Sequence, residues 1–344
     1  MLELIAGPCS AESREQVLST AKEIDSIDGI KWFRAGIWKP RTRPNQFEGV
    51  GDKGLSWLKE VKKTTSLKTM TEVATPFHIE KCLESGIDGI WIGARTTTNP
   101  FYIQELSESL KGVDIPIFIK NPLNPDIKLW IGAIERIKAS GAKNIYAIHR
   151  GFSFADNGIY RQTPYWKMPI ELKRLMPDIP IICDPSHIAG QASLVREISQ
   201  SAINIGLNGL MIEVHNKPEE ALTDSSQQIT PSDLSTLLKE LIIPQNIIEN
   251  INPIFTIREE IDSLDFELIN IIKQRMGLAI EIARIKKEKN IPILQVKRLD
   301  EMIIKRIEKT QGTILDKDFI KDIFESIHQE SIRIQNEIIK DKNN

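Results

Sequence analysis

Short β-branched runs and longer amphipathic stretches alternate along the first two-thirds of the chain. The runs cover residues 2–6, 30–34, 67–73, 89–93, 115–120, 144–149, 179–184 and 209–214. Each is short, apolar and closed by polar residues, the signature of a buried parallel strand. Between them, residues 14–27, 55–64, 76–85, 103–110, 126–140, 193–205 and 231–241 carry apolar residues at helical spacing. Eight alternating units of this size favour a closed (β/α)8 TIM barrel over an open doubly wound sheet. No GxGxxG follows a strand, which argues against dinucleotide binding.

The pattern changes near Ile243. Pro244-Gln245-Asn246 reads as a helix stop, and strand signals end after Pro253. Residues 254–289 form one long helical pattern, with Ile257, Ile261, Leu264, Leu268, Ile272 and Leu278 giving an apolar stripe. Asn290-Ile291-Pro292 breaks it, and residues 296–310 and 316–339 predict two more helices around a turn at Gly312. The expected organisation is a barrel over 1–243, a linker over 244–252 and an all-α three-helix domain over 253–344. A three-helix unit with one helix this long buries little by itself, so a homodimer through this domain, or a higher homo-oligomer, is expected.

Composition removes several function classes. With 344 residues and a net charge of -2, nothing points to nucleic acid or a membrane surface. No apolar run approaches a membrane span. The start, Met1-Leu2-Glu3-Leu4-Ile5, lacks a signal peptide's basic region. Cys9, Cys82 and Cys183 are too few and too scattered for a disulfide framework. A cytoplasmic location is the expectation.

The candidate chemistry lies at strand ends, where barrels of this class place their active sites. Cys9 closes the first strand, Cys183-Asp184-Pro185-Ser186-His187 follows the seventh, and Glu213-Val214-His215 ends the eighth, with Asp224 in the next loop. Cys9, His187, Glu213 and Asp224 together form a mixed set suited to a divalent transition metal. Mn2+ is expected, with Fe2+, Co2+ or Zn2+ as alternatives. Arg34, Lys39, Arg41, Arg95, Lys120 and Arg150 also follow apolar runs. So many cations on one rim require an anionic ligand, and guanidinium forks suit phosphate and carboxylate.

Read together, these ordered motifs resemble the 3-deoxy-D-arabino-heptulosonate 7-phosphate synthases of the short type, relatives of the 3-deoxyoctulosonate 8-phosphate synthases. The resemblance covers residues 1–242. It implies condensation of phosphoenolpyruvate with erythrose 4-phosphate, with release of phosphate. It also implies metal ligation by Cys9, His187, Glu213 and Asp224, and phosphoenolpyruvate binding by Arg34, Lys39, Arg95, Lys120 and Arg150. Lys39-Pro40-Arg41-Thr42 matches the erythrose 4-phosphate motif, with Asp184 added to that site. The octulosonate enzymes carry an Asn-rich segment there, so the four-carbon sugar is favoured. Glu72 matches a polar position near the metal. Lys39 is a candidate for moving a proton near the reacting carbons. His215 either does the same or orients Glu213.

Residues 253–340 resemble the all-helical chorismate mutases through Ile257-Arg258-Glu259-Glu260-Ile261-Asp262, Gln274-Arg275-Met276, Ile285-Lys286-Lys287-Glu288-Lys289, Val296-Lys297-Arg298 and Ser331-Ile332-Arg333-Ile334-Gln335. The resemblance implies a chorismate and prephenate pocket lined by Arg258, Arg275, Lys286, Arg298, Ser331 and Gln335, with Lys286 and Gln335 at the ether oxygen. Helical geometry agrees. Arg275 and Lys286 lie roughly 20° apart around the helix, whereas Arg258 is about 100° away and more than four turns distant. A dimer that lends Arg258 to its partner's pocket resolves this. Gln295 and Leu299 depart from the family's Asp and Glu, and Leu299 cannot accept from the substrate hydroxyl; a one-residue shift would bring in Asp300.

The combined expectation is a bifunctional enzyme of aromatic biosynthesis. Its first strand starts at residue 2, which leaves the mutase as the only extra domain in this reading, so feedback inhibition by prephenate or chorismate is expected to act through it. Two alternatives are a helical domain that mainly senses its ligand, and a barrel of the octulosonate-phosphate type.

Overall fold

The computed structural model describes residues 2–39, 45–244, 252–294 and 296–340. These fall into two compact units that divide between Gln245 and Asn246, inside the expected linker.

The first unit is a closed parallel barrel in strand order β1 to β8. Its strands are β1 (Glu3–Gly7), β2 (Trp32–Arg34), β3 (Lys68–Val73), β4 (Gly89–Ile92), β5 (Ile117–Lys120), β6 (Ile145–His149), β7 (Ile181–Cys183) and β8 (Gly209–Glu213). The parallel pairing of β1 with β8, Glu3 opposite Gly209 through Gly7 opposite Glu213, closes it. Three expected strands, β2, β5 and β7, begin two residues late; in the last two the cause is that Pro116 and Pro180 have no N–H to give the ladder. Their carbonyls still accept from Ile90 and Ala147.

Helices α1 (Arg14–Asp25), α2 (Lys53–Thr64), α3 (Pro76–Glu84), α4 (Ala94–Thr97), α5 (Pro100–Ser109) and α6 (Ile127–Ala139) follow the first five strands. Then come α7 (Lys167–Leu175), α8 (Pro185–Ala189), α9 (Ala192–Asn204) and α10 (Pro231–Glu240). The ends are set by local chemistry. Ser13, Thr75, Asn99, Asp126 and Thr230 cap their helices by accepting from backbone N–H groups, and Thr230 with Asp233 forms a capping box. The periodicity reading missed α4, α7 and α8. Two are single turns, and α7 follows a long irregular loop with Pro169 in its first turn.

Each strand sends one large apolar residue into the barrel. Ile5, Trp32, Met70, Trp91, Phe118, Ile148, Ile182 and Met211 form this plug. Trp32 meets the Phe118 ring edge-on at 5.7 Å, and Phe118 stacks on Tyr146 at 4.6 Å. The outward residues pack under the helices as a separate core. Strands alternate with period two, so the plug fixes what comes next. Two residues further on, the inward positions are Gly7, Arg34, Glu72, Gly93, Lys120, Arg150, Asp184 and Glu213. An apolar layer is therefore capped by a charged one. The glycines belong to it for steric reasons. A Cβ on Gly7 would meet the Arg34 carbonyl at 2.1 Å, and one on Gly93 would meet Glu72 Oε1 at 2.1 Å.

The second unit consists of α11 (Asn252–Glu288), α12 (Val296–Glu308) and α13 (Lys317–Lys340). α11 and α12 both pack on α13. Along α11, Ile254, Ile257, Ile261, Leu264, Leu268, Ile271, Leu278, Ile282 and Ile285 stay exposed. They recur at alternating steps of three and four residues, with Arg275 filling the one gap. That is a heptad seam. Among the described residues, no helix is long and apolar enough to cross a membrane.

Candidate active sites

The charged layer of the barrel is buried and internally paired. Arg34 is 1 % exposed, and its Nη2 lies 3.1 Å from Glu213 Oε1. Lys120 Nζ lies 2.9 Å from Asp184 Oδ2. Arg34 and Lys120 both sit over the Trp91 ring, 4.9 and 5.8 Å from its centroid. Trp91 Nε1 donates to Glu72 Oε2 at 3.0 Å. The plug thus touches the charges directly, and the indole face offsets part of their desolvation.

Pairing does not use every donor. Arg34 Nε and Nη1 and Arg150 Nη1 are buried with no hydrogen-bond partner among the described residues. Burial pushes the Arg150 guanidinium down to about 10, against Asp184, with Arg161 and Arg95 adding repulsion. Burial also lowers Lys120, against the attraction of Asp184. Buried donors without partners are costly, and an anionic ligand would satisfy them. Lys39, Arg95, Lys120, Arg150 and Arg161 line one cavity of 190 Å³, which His187 and Asp224 also reach.

The four expected metal ligands come from the carboxyl ends of three strands: Cys9 after β1, His187 on α8 after β7, and Glu213 on β8 with Asp224 in the loop beyond it. One donor atom each of Cys9, Glu213 and Asp224 lies within 4.8 Å of the others. Cys9 Sγ donates to Asp224 Oδ2 at 3.3 Å. His187 joins through Nε2, 3.7 Å from Glu213 Oε1, while its Nδ1 is held 2.8 Å from Asp184. Fixing one ring nitrogen on a carboxylate so that the other faces the cluster is how metal-binding imidazoles are oriented. A thiol, an imidazole and two carboxylates fit a divalent transition metal. The charge balance agrees. Burial, with Glu213 adding, pushes the Cys9 thiol up to about 12, although Lys39 opposes this. Lys39 Nζ sits 3.1 Å from Cys9 Sγ and 3.0 Å from its carbonyl, so a cation already lies against the thiol. Despite burial, His187 and Arg34 hold the Glu213 carboxyl below its usual range. His187, Arg161 and Lys39 do the same for Asp224.

Other expected residues are placed differently. Pro40, Arg41 and Thr42 lie outside the described residues, so of the sugar-phosphate motif only Lys39 is located. Asp184 is fully buried and uses its oxygens on Lys120 and His187, and its backbone N–H on the His149 carbonyl. His215 is not among the partners of Glu213. Its Nδ1 accepts from Lys217 N at 2.9 Å, and its Nε2 lies 4.0 Å from Glu12. The orienting partners of Glu213 are instead Arg34, His187 and Gln227, whose Nε2 donates to Glu213 Oε2 at 2.6 Å.

In the helical unit, α11 and α13 build a second site. Arg275 Nη1 donates to Ser331 Oγ at 2.6 Å, and Lys286 Nζ donates to Gln335 Oε1 at 3.3 Å. Ser331 and Gln335 are buried, and burial lowers the pKa of both Arg275 and Lys286. The expected pairing of i, i+4 positions on α13 with the Arg275–Lys286 face of α11 is therefore present. Arg258 is exposed on α11, 17 residues before Arg275 in sequence, a rise of roughly 25 Å. Gln295 and the side chains of Arg298, Leu299 and Asp300 lie outside the described residues.

Trp91, Arg161 and Gln227 were not foreseen as site residues. Period-two alternation from Gly93 back through β4 points to Trp91. Arg161 and Gln227 stand in irregular loops, where no periodicity marks them.

Comparison with known proteins agrees with this geometry. The DAHP synthetase I family model matches residues 1–249, and that of chorismate mutase type II matches residues 257–336. The phospho-2-dehydro-3-deoxyheptonate aldolase of Thermotoga maritima is 33% identical over 238 residues, covering 69% of this chain and 68% of that protein. A 2-dehydro-3-deoxyphosphooctonate aldolase of Wolinella succinogenes is 26% identical over 266 residues, covering 70% of this chain and 97% of that protein. The crystal structure of the Thermotoga enzyme superposes with a TM-score of 0.61 at 31% identity, over 70% of this chain and 68% of that one. A solved truncated form of the Thermotoga synthase gives 0.59 at 29% identity, over 70% of this chain and 84% of that one. The chain belongs to the DAHP synthetase I family, with a type II chorismate mutase domain following its barrel.

Proposed function

We propose that the charged layer condenses phosphoenolpyruvate with erythrose 4-phosphate and water to the seven-carbon phosphosugar acid, releasing phosphate. The three-helix unit rearranges chorismate to prephenate. The observation that carries the first reading is the set of buried, partly unpaired guanidinium donors beside the Cys9, Glu213 and Asp224 cluster. Arg34, Lys39, Arg95, Lys120 and Arg150 hold the phosphate and carboxylate of phosphoenolpyruvate. Lys39, with Pro40, Arg41 and Thr42, holds the sugar phosphate. A divalent metal on Cys9, His187, Glu213 and Asp224 supplies a Lewis acid for the aldehyde oxygen.

Chemistry then follows from position. The cation shell brings two polyanions together and keeps the enol carbon against the aldehyde carbon. Water adds at C2 as positive charge develops there, and the phosphate leaves from that carbon. Lys39 is the better placed proton carrier, because it lies on the cluster while His215 faces Glu12. Asp184 acts by holding Lys120 and His187 rather than by reaching for sugar. Higher identity to the heptonate than to the octonate relative favours the four-carbon aldehyde. The deciding experiment is an activity assay after chelation. Excess EDTA should abolish condensation and leave the mutase rate unchanged, as should Cys9→Ala and His187→Ala. Condensation persisting with no bound metal detected would overturn the metal-site reading.

The mutase needs no nucleophile or cofactor, only a pocket that holds the compact conformer of a dicarboxylate. Arg275, with Arg298 and a partner's copy of Arg258, takes the carboxylates. Lys286 and Gln335 stabilise charge on the ether oxygen, and Ser331 holds Arg275 in place. The exposed heptad seam on α11 and the roughly 25 Å rise from Arg258 to Arg275 both support a homodimer that pairs these helices. Arg258→Ala and Arg275→Ala should each abolish mutase activity. Subunit exchange between them should restore about a quarter to a half of it, since one pocket per mixed dimer is whole. No recovery would mean that each pocket is built within one chain.

The same ligand pocket is the proposed seat of control. Prephenate or chorismate bound there inhibits the barrel, with a coupling of ~1–3 kcal/mol giving a 5- to 150-fold effect. Condensation assayed with prephenate should be inhibited in the full chain but not in residues 1–245 or in Arg275→Ala. Equal sensitivity of all three would contradict this.

A further inference from the structure

The loop after β6 delivers Arg161 to the metal cluster. Its backbone is docked on the end of α8, just beyond His187. Arg161 N donates to the carbonyls of Ile188 and Ala189 at 3.1 and 3.3 Å. Gly190, at φ +71, makes room for it, since a Cβ there would meet Arg161 Cβ at 2.4 Å. The side chain then bridges two groups. Arg161 Nη1 lies 3.1 Å from Asp224 Oδ1 and donates to Gln227 Oε1 at 2.6 Å. Gln227, fully buried, passes the connection on through Nε2 to Glu213 Oε2 at 2.6 Å.

The result is a continuous strut, Asp224–Arg161–Gln227–Glu213. Each carboxylate gives one oxygen to the strut and keeps the other on the cluster. Asp224 Oδ2 faces Cys9 Sγ at 3.3 Å, and Glu213 Oε1 faces His187 Nε2 at 3.7 Å. We propose that Arg161 and Gln227 are positioning residues that set the two carboxylates for metal binding. This rests on the metal-site reading above. Two effects of Arg161 oppose one another. Its charge repels an incoming cation, whereas its fixed geometry orders both ligands beforehand. The Arg161 side chain is 40% exposed, so solvent screens the repulsion. Hydrogen-bonded partners of metal ligands typically govern affinity by about 10–100-fold. Orientation wins.

The test is calorimetric titration of Mn2+ into the chelator-stripped full-length protein. Arg161→Ala and Gln227→Ala should each weaken Mn2+ binding by about 10–100-fold. The double variant should lose little beyond the larger single loss, because one strut is broken either way. Arg161→Lys should recover part of the affinity. A cooperative thermal transition and a circular dichroism spectrum matching wild type confirm folding of the barrel, and Arg161→Ala decides if Gln227→Ala misfolds. Affinity within twofold of wild type in Arg161→Ala, while Asp224→Asn loses the metal, overturns the strut. So does a raised KM for either phosphorylated substrate at unchanged Mn2+ affinity, which would make Arg161 a substrate ligand. Full Mn2+ affinity in Asp224→Asn would instead remove the metal-site reading itself.

Discussion

Five charges are buried on top of an apolar plug, Arg34, Lys120 and Arg150 against Asp184 and Glu213, with the half-buried Glu72 beside them. Isolated, each would cost several kcal/mol to desolvate. Opposite charges at hydrogen-bond distance, with the Trp91 face beneath, reduce that cost without cancelling it. What remains is a set of guanidinium donors with no partner among the described residues. Replacing the layer by apolar side chains would in general be neutral or stabilising. Its presence is therefore an argument about ligands rather than stability. The barrel supplies rigidity, and an anionic ligand would supply the missing counter-charge.

The geometry of that layer follows from one regularity. Strand alternation lets a residue chosen for packing, such as Ile182 or Met211, determine the direction of Asp184 or Glu213 two positions on. Gly7 and Gly93 occupy inward positions of the same layer because neighbours already fill the space a Cβ would need. The group of Cys9, His187, Glu213 and Asp224 proposed to hold a metal is built differently. Cys9, His187 and Asp224 lie beyond the strand ends, so loops and side-chain struts must place them. Asp184 holds His187 and Arg161 holds Asp224, while Gln227 ties Arg161 to Glu213.

Much of this was legible in the sequence because it is periodic. The eight strands, the long helix α11 and the Ser331–Gln335 face rest on spacings of two, seven and four residues. Strand ends at Ile117 and Ile181 were misread by two residues, since apolarity continues through a proline whereas the hydrogen-bond ladder cannot. Helix α7 was missed because it is short and follows an aperiodic loop. Partners set by tertiary contact were not visible. Nothing near His215 in sequence says that it faces Glu12 rather than Glu213, and nothing near Gln227 says that it meets Glu213. The helical unit illustrates the other limit. Its apolar stripe was read through Ile272 where the exposed seam carries Ile271, and a stripe alone does not say what covers it. The proposed homodimer rests in addition on the separation of Arg258 from Arg275 along one helix.

The central claim is that the buried Cys9 thiol belongs to a metal site that the charged layer surrounds. Cobalt tests it most directly, because a Co2+–thiolate bond has a charge-transfer absorption that oxygen and nitrogen ligands do not produce. Titrating Co2+ into the chelator-stripped protein should develop that near-ultraviolet band with saturation at one ion per chain, and the band should be missing in Cys9→Ser. Stoichiometric Co2+ binding without the band, or a band that survives in Cys9→Ser, would contradict the account.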